Sequence, residues 1–246
     1  MNLALAKHKN KAQMAKQYRE KGFVKVQDAL TESTLNTLHE FIASQEQWNL
    51  VFNHQGSHQD LNNLEVVNWS LSKKKDLENI IFQQASNDFQ YFYETIPIYD
   101  IFHKNMLPGH FFNDIVLFLN TDETLDFFRE ILDAPEITFM DAQITRFSAG
   151  HFLNTHNDDV ANKNRVAALV INLTENWRAD WGGALHLLDD EKQIKQSFLP
   201  SFNEINIFKV PLDHYVGYVS PFAQNSRLSI TCWLRSGENP MKSSRT

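Results

Sequence analysis

The second half of the chain is a series of short strand-like segments separated by turns, and this pattern constrains the fold more than any other feature. Gly, Asn and Pro residues stand between the segments, for example at Ala149-Gly150 and Gly182-Gly183. Closely spaced short strands are typical of a sandwich or a barrel. We therefore predict a β core after Pro135, with strands near residues 137–140, 143–147, 167–173, 184–188, 205–210, 215–219 and 228–234.

The first half of the chain is predicted to be mainly helical. Thr31 and Thr121 are favourable N-cap residues, and apolar residues follow each of them at helical spacing. A short strand is expected at residues 23–26, and residues 48–70 are expected to form a short strand and a long loop. The predicted helices cover residues 3–20, 31–43, 73–93 and 110–132, the last of them divided near residues 120–122.

Composition limits the classes of function. The formal net charge of -7 over 246 residues argues against a general affinity for nucleic acid, which depends on neutralising phosphates. We expect no direct nucleic-acid partner, and we interpret the basic residues near the N-terminus as a solvated helix face. These residues are Lys7, Lys9, Lys11, Lys16, Arg19 and Lys21.

The single cysteine and the absence of long apolar stretches in the sequence favour a cytoplasmic location. Cys232 has no intrachain partner for a disulfide, which fits a reducing environment. The N-terminus has no apolar stretch suited to a signal peptide, and no later segment approaches 18 consecutive apolar residues. We expect a cytoplasmic protein that does not contact a membrane.

Three residues, His156, Asp158 and His214, indicate a metal site. His156 and Asp158 are two residues apart, so in a strand or an extended turn their side chains point to the same side. His214 precedes a later strand, and closure of a barrel can bring it to the same place. Two imidazoles and one carboxylate are the ligands of a non-haem Fe(II) facial triad, whose other face stays open. We predict that His156, Asp158 and His214 are metal ligands and catalytic residues.

Arg227 adds a site for an acidic molecule. It opens a predicted strand, and by alternation Arg227 and Ser229 share one face. A guanidinium group with a nearby hydroxyl can hold a carboxylate bidentately. We predict that this pair binds an acidic co-substrate beside the metal.

Residues 143–237 resemble the prolyl 4-hydroxylase-like 2-oxoglutarate/Fe(II) dioxygenases, and within them the group that hydroxylates a proline of a small-subunit ribosomal protein. The ordered series is more specific than any of its members. It comprises Phe147-x-x-Gly150, His156-x-Asp158, Arg165 before 166–173, Trp177, Trp181-Gly182-Gly183, Pro200-Ser201-Phe202-Asn203, Phe208, His214-x-x-x-x-Val219 and Arg227-Leu228-Ser229-Ile230-Thr231-x-Trp233.

The resemblance implies a fold and a reaction. The fold class would be α+β with a mainly β core, a double-stranded β-helix (a cupin-like jelly roll) with N-terminal helices packed on it. We expect one catalytic domain over residues 1–246, with a helical support region at 1–134, the β-helix at 135–236 and a tail at 237–246. Fe(II), 2-oxoglutarate and O₂ would be required, with ascorbate in a supportive role, and Arg227 would pair with the distal carboxylate of 2-oxoglutarate.

Two positions depart from the family pattern. Many members have a tyrosine nine residues before the first histidine ligand, where this chain has Phe147, which cannot donate a hydrogen bond. A second tyrosine of that pocket is replaced by Asn172. Asn172 and Ser229 are therefore predicted to assist Arg227 in binding 2-oxoglutarate.

The substrate is inferred from the resemblance. It implies a protein or peptide substrate, with a ribosomal or translation protein as the leading candidate, and Arg165 and Trp181 as residues of the substrate groove. Two alternatives remain at this point. The same oxygenase chemistry could act on a small molecule, or the chain could be a cupin-like metal-binding module without catalytic activity.

Overall fold

The computed structural model describes residues 3–240. Most of its helices precede the main strands. The helices are α1 (Lys11–Lys21), α2 (Glu32–Ala43), α3 (Asn63–Val67), α4 (Leu71–Ala85), α5 (Ile98–His103), α6 (Phe111–Leu119) and α7 (Asp122–Leu132), with a 3-10 turn at Ala179–Trp181. The strands are β1 (Phe23–Gln27), β2 (Asn49–His54), β3 (Ser57–Asn62), β4 (Tyr91–Ile96), β5 (Ile137–Phe147), β6 (Phe152–His156), β7 (Arg165–Leu173), β8 (Leu185–Leu188), β9 (Ile194–Phe198), β10 (Phe202–Lys209), β11 (His214–Val216) and β12 (Arg227–Ser236).

The described strands form one curled antiparallel sheet. Its order is β1-β10-β7-β12-β5-β4-β6-β11-β8-β9, and the β2–β3 hairpin is attached to β4. Apolar side chains from β5, β7 and β10 pack against side chains from β8 and β11, so the two halves of the sheet face each other. This interior cluster includes Phe147, Val170, Phe208, Leu185, Leu187 and Val216. The arrangement is the predicted double-stranded β-helix.

The helices cover the outer face of the larger half of the sheet. Because alternate residues of a strand point to opposite faces, Ile144 and Ile230 point outward while Thr145 and Ser229 point inward. The outward residues share one core with Leu38 of α2, Ile115 of α6 and Phe128 of α7. Burial of this apolar surface holds the helices in place and leaves the inner face of the sheet for the polar residues of the site.

Both predicted N-caps are present. The Thr31 side chain accepts a hydrogen bond from the backbone N–H of Thr34, and that of Thr121 accepts one from Thr124. These bonds satisfy donors that the first helical turn leaves free. The predicted division of residues 110–132 into two helices is therefore confirmed.

The predicted helix at residues 73–93 is wrong in its second part. Helix α4 ends at Ala85, and the chain re-enters the sheet as β4. There Glu94 pairs with Arg146 of β5, and Phe92 pairs with Phe152 of β6. The aromatic run before Pro97 can continue a helix or pair as a strand, and the pairing partners lie about fifty residues further along the chain. Strand β4 thus lies between two strands of the predicted core.

Other boundaries also differ from the predictions. Residues 3–10 precede α1 and are not helical; Leu5 forms an isolated bridge with Leu30. The two strands predicted at 137–140 and 143–147 are one continuous strand, β5. Residues 48–70 contain the β2–β3 hairpin and α3 instead of a long loop. Of the predicted tail, residues 241–246 lie outside the described residues. Between residues 3 and 240, no helix combines the length and the apolar character needed to cross a membrane.

Candidate active site

The three predicted ligands meet on the smaller half of the sheet. His156 ends β6 and His214 begins β11, and the two residues are paired across these antiparallel strands. Asp158 follows two residues after His156 in a left-handed backbone conformation with φ of 62°. Its carboxylate lies 3.6 Å from Nε2 of His156 and 3.5 Å from Nε2 of His214. One potential ligand atom from each residue lies within 4.8 Å of the others, a spacing that a single metal ion can bridge.

Hydrogen bonds direct both imidazoles toward a metal. Nδ1 of His156 lies 3.0 Å from the carbonyl oxygen of Asn154, and Nδ1 of His214 lies 2.8 Å from that of Leu212. A carbonyl oxygen only accepts, so each Nδ1 carries the proton and each Nε2 keeps its lone pair. Two neutral nitrogens and one carboxylate oxygen form the donor set of a 2-His-1-carboxylate iron site. The residues present therefore fit Fe(II).

The electrostatics keep His214 neutral. Burial, and secondly the adjacent His156, lower the pKa of His214 to about 4. A metal ligand must be deprotonated, so this imidazole is ready to bind at neutral pH.

Arg165 holds the carboxylate ligand. Its Nη1 donates to Oδ1 of Asp158 and to the carbonyl oxygen of the same residue, each at 3.2 Å. The guanidinium carbon lies 4.1 Å from the ring centre of Trp233. A hydrogen-bonded partner of this kind fixes the orientation of a carboxylate ligand. Arg165, predicted as a substrate residue, thus lies beside the triad.

Arg227 is a buried cation at the other end of the same cavity. It is 3 % exposed, and burial lowers its pKa to about 10. Nη1 donates to the carbonyl oxygen of Gly183 at 3.0 Å, while Nε has no hydrogen-bond partner in the described part of the chain. No acidic side chain within residues 3–240 forms an ion pair with it. A buried charge without a counter-ion is costly, so this position suits the carboxylate of a ligand.

A largely apolar cavity of about 190 Å³ joins the triad to Arg227. Apolar walls exclude water and strengthen the electrostatic interactions inside. The cavity is lined by Phe89, Tyr91, Tyr93, Gln143, Thr145, Phe147, Leu153, His156, Asp158, Ala168, Val170, Leu185, Phe208, His214, Val216, Arg227, Thr231 and Trp233.

Three further predicted residues lie outside this wall. The amide nitrogen of Asn172 donates to the carbonyl oxygens of Val170 and Glu204, so it is not available to a ligand in this arrangement. The hydroxyl of Ser229 is 2.8 Å from that of Thr145, beneath the cavity. Trp181 packs edge-on against Trp177 with ring centres 5.3 Å apart. The structure therefore does not bring Asn172, Ser229 or Trp181 to the triad cavity.

Several residues of the cavity were not predicted as site residues. Thr231 and Trp233 lie four and six residues after Arg227 on the same strand, so alternation places them on its face and would have found them. Tyr91 and Tyr93 belong to β4, which was predicted as helix, and no signal near them in the sequence points to the triad.

Comparison with known proteins agrees with the geometry. Residues 142–235 match the model of the 2OG-Fe(II) oxygenase superfamily. Over 101 residues the chain is 33% identical to prolyl 3-hydroxylase OGFOD1 of Mus musculus; this stretch is 38% of the chain but only 18% of the mouse protein.

Two solved structures share the fold over nearly their full length. An oxidoreductase of the 2OG-Fe(II) oxygenase family from Burkholderia pseudomallei has a TM-score of 0.61 at 16% identity and covers 96% of each chain. A prolyl hydroxylase from Trichoplax adhaerens, solved with a hypoxia inducible factor peptide, has a TM-score of 0.61 at 17% identity and covers 97% of this chain and 95% of its own.

The fold and the site together define a double-stranded β-helix with three residues that could hold a metal ion and a buried arginine. Residues 142–235 are similar to the 2OG-Fe(II) oxygenase superfamily, and the whole fold resembles that of a prolyl hydroxylase.

Proposed function

We propose that this chain is an Fe(II)- and 2-oxoglutarate-dependent dioxygenase that hydroxylates a prolyl residue of a protein. The observation that carries the proposal is the joint placement of two features in one cavity. A cluster of two histidines and one aspartate lies at one end, and Arg227, which has no acidic partner within residues 3–240, lies at the other. A dicarboxylate that binds metal at one end and arginine at the other satisfies both.

Each residue has a distinct role in this proposal. His156, Asp158 and His214 hold the metal, and Arg165 keeps the Asp158 carboxylate turned toward it. Arg227 binds the distal carboxylate of 2-oxoglutarate. When bound, Fe(II) and 2-oxoglutarate supply the oxidation by O₂. The apolar wall excludes water from the reacting groups. Nε1 of Trp233, which is buried and has no partner among the described residues, can donate to the substrate.

The substrate class rests on resemblance. The mouse relative is named as a prolyl 3-hydroxylase, and the Trichoplax structure contains a peptide, so a prolyl residue of a protein is the favoured target. The ordered motif series further suggests a ribosomal or translation protein. We place the activity in the cytoplasm and include ascorbate as a supporting reductant.

The test combines binding, turnover and product mass. Anaerobic titration should show one Fe(II) per chain. Turnover should then release succinate from 2-oxoglutarate and add 16 Da to a proline-containing protein. His156→Ala, Asp158→Ala and His214→Ala should each abolish metal binding, whereas His54→Ala, which changes an exposed histidine, should bind normally. Arg227→Ala should raise the KM for 2-oxoglutarate by about 100-fold, because it removes a buried charge-assisted pair.

Other results would select the alternatives. Turnover of a metabolite without any activity on proteins or peptides would favour a small-molecule oxygenase. Iron binding with no affinity for 2-oxoglutarate and no succinate would indicate a metal-binding module. Retained activity in His214→Ala would overturn the triad assignment.

A further inference from the structure

Tyr93 occupies a position next to the residue at which the expected hydroxyl is missing. Because Glu94 pairs with Arg146, Tyr93 of β4 lies beside Phe147 of β5 on the inner face of the sheet. Their rings are stacked, with centres 4.8 Å apart and planes inclined by 13°. Phe147 in turn lies 5.3 Å from the guanidinium carbon of Arg227. Tyr93, Phe147 and Arg227 therefore follow one another across the cavity wall.

Within residues 3–240, the Tyr93 hydroxyl has no acceptor for its proton. It accepts a hydrogen bond from Nε2 of Gln143 at 3.4 Å, and Oε1 of Gln143 faces the hydroxyl of Thr95 at 3.2 Å. Among residues 3–240, no acceptor receives the proton of the phenol. Burial raises the pKa of Tyr93, and the hydrogen bond from Gln143 offsets this only in part, so the phenol stays protonated at neutral pH.

The direction of the side chain indicates which end of a ligand it meets. Gln143 pairs with Thr231, four residues along β12 from Arg227, and four strand residues span about 13 Å. Trp233, two residues beyond Thr231, contacts Arg165, which donates to Asp158 of the triad. The phenol oxygen, which reaches Gln143, therefore lies toward the triad and away from the backbone of Arg227.

We propose that the Tyr93 hydroxyl donates a hydrogen bond to the carboxylate of 2-oxoglutarate that faces the triad, and that it replaces the hydroxyl absent from Phe147. The proposal rests on the proposed function, because it requires 2-oxoglutarate in this cavity. It gives β4 a role in binding the ligand, although the triad itself comes from later parts of the chain.

Tyr91 provides a matched control. It lies two residues earlier on β4, lines the same cavity, and its ring centre is 5.9 Å from that of Tyr93. Its hydroxyl, however, lies 2.6 Å from Nδ1 of His58 in the β2–β3 hairpin, so its hydrogen bond is directed away from the ligand. Replacing either tyrosine by phenylalanine keeps the ring and removes only the hydroxyl.

The experiment measures the affinity for 2-oxoglutarate directly. Calorimetric titration of the full chain loaded with Mn(II), which binds without turnover, should show that Tyr93→Phe raises the Kd at least tenfold, the effect of one hydrogen bond to a charged group. Tyr91→Phe should leave the Kd within about twofold of the wild type. Thermal unfolding without 2-oxoglutarate should be similar for both variants, whereas the stabilisation by 2-oxoglutarate should decrease only in Tyr93→Phe.

The outcomes separate the two proposals. If the wild type binds 2-oxoglutarate and Tyr93→Phe binds it equally well, or if both variants lose affinity equally, the role of Tyr93 is refuted while the proposed function stands. If the metal-loaded wild type does not bind 2-oxoglutarate, the proposed function itself is refuted.

Discussion

Single residues set the site through local hydrogen bonds and unusual backbone conformations. Both histidines of the triad are oriented in the same way, because each Nδ1 donates to the carbonyl oxygen of the residue two positions earlier. Asp158 reaches the same point only because its backbone turns into the left-handed region. Gly182 also has a positive φ. It lies shortly before β8 and forms an isolated β-bridge with Val219, in the segment that follows β11.

Gly182→Ala should destabilise the protein strongly. The backbone of Gly182 has φ of 73° and ψ of −144°, a conformation that residues other than glycine rarely adopt. A Cβ atom would also lie 2.1 Å from the carbonyl oxygen of Tyr218. We expect a loss of about 3 kcal/mol in the free energy of unfolding, measured by chemical denaturation.

Gly56→Ala is the control for that variant. Gly56 has φ of 80°, but a Cβ atom there would meet no described atom within 4 Å. Only backbone strain acts at Gly56, so the loss should be about 1 kcal/mol. Equal losses in the two variants would show that the contact with Tyr218 does not matter.

Among the elements, the turn between β5 and β6 links the Phe147 side of the cavity to the triad strand. His151 closes this turn, because its Nδ1 accepts a hydrogen bond from the backbone N–H of Ser148 at 3.0 Å. Its ring also packs edge-on against Phe92 of β4, with centres 4.8 Å apart. An imidazole that accepts at Nδ1 must be neutral, and protonation would break this bond.

Stability should therefore decrease as the pH falls below 6.5. Burial lowers the pKa of His151 to about 4, so the unfolded chain binds this proton first. The contribution is complete above pH 6.5 and is lost progressively as the pH approaches 4. It amounts to about 3 kcal/mol. His151→Gln, which keeps a neutral acceptor, should reduce the pH dependence of metal-free unfolding by up to that amount. An unchanged pH dependence would contradict the assignment to His151.

At the scale of the whole molecule, the boundary predicted near Pro135 does not separate two structures. Strand β4 from the first half lies between β5 and β6, and β1 pairs with β10 at the edge of the sheet. The apolar outer face of the sheet is covered by α2, α6 and α7. The strands that carry the triad thus depend on the preceding residues for a neighbouring strand and for a covered core.

A fragment of residues 135–240 should not fold. It would leave β5 and β6 without β4, and it would expose the apolar face that the helices bury. We expect no cooperative thermal transition and no stabilisation by Mn(II) with 2-oxoglutarate, compared with the full chain under the same conditions. A cooperative transition together with ligand binding would show that the later strands suffice.

Much of this protein could be predicted from short-range relations along the chain. Helix caps depend on residues three apart, and His156 and Asp158 are two apart. Arg227 begins β12, and the alternation of side chains between the two faces of that strand can be read from adjacent residues. Barrel closure, and then the resemblance in residues 143–237, predicted that the distant His214 joins the same site, and the structure brings the three ligands within 4.8 Å of one another.

The remaining features depend on which strands become neighbours. Strand β4 forms because it pairs with β5 on one side and with β6 on the other, and the aromatic residues at 91–93 carry no sign of that pairing. The same pairing stacks Tyr93 on Phe147, although the two residues are 54 positions apart. A hydroxyl that is missing at one position can therefore be supplied from a neighbouring strand, because a binding site depends on where atoms lie in space and not on their order in the chain.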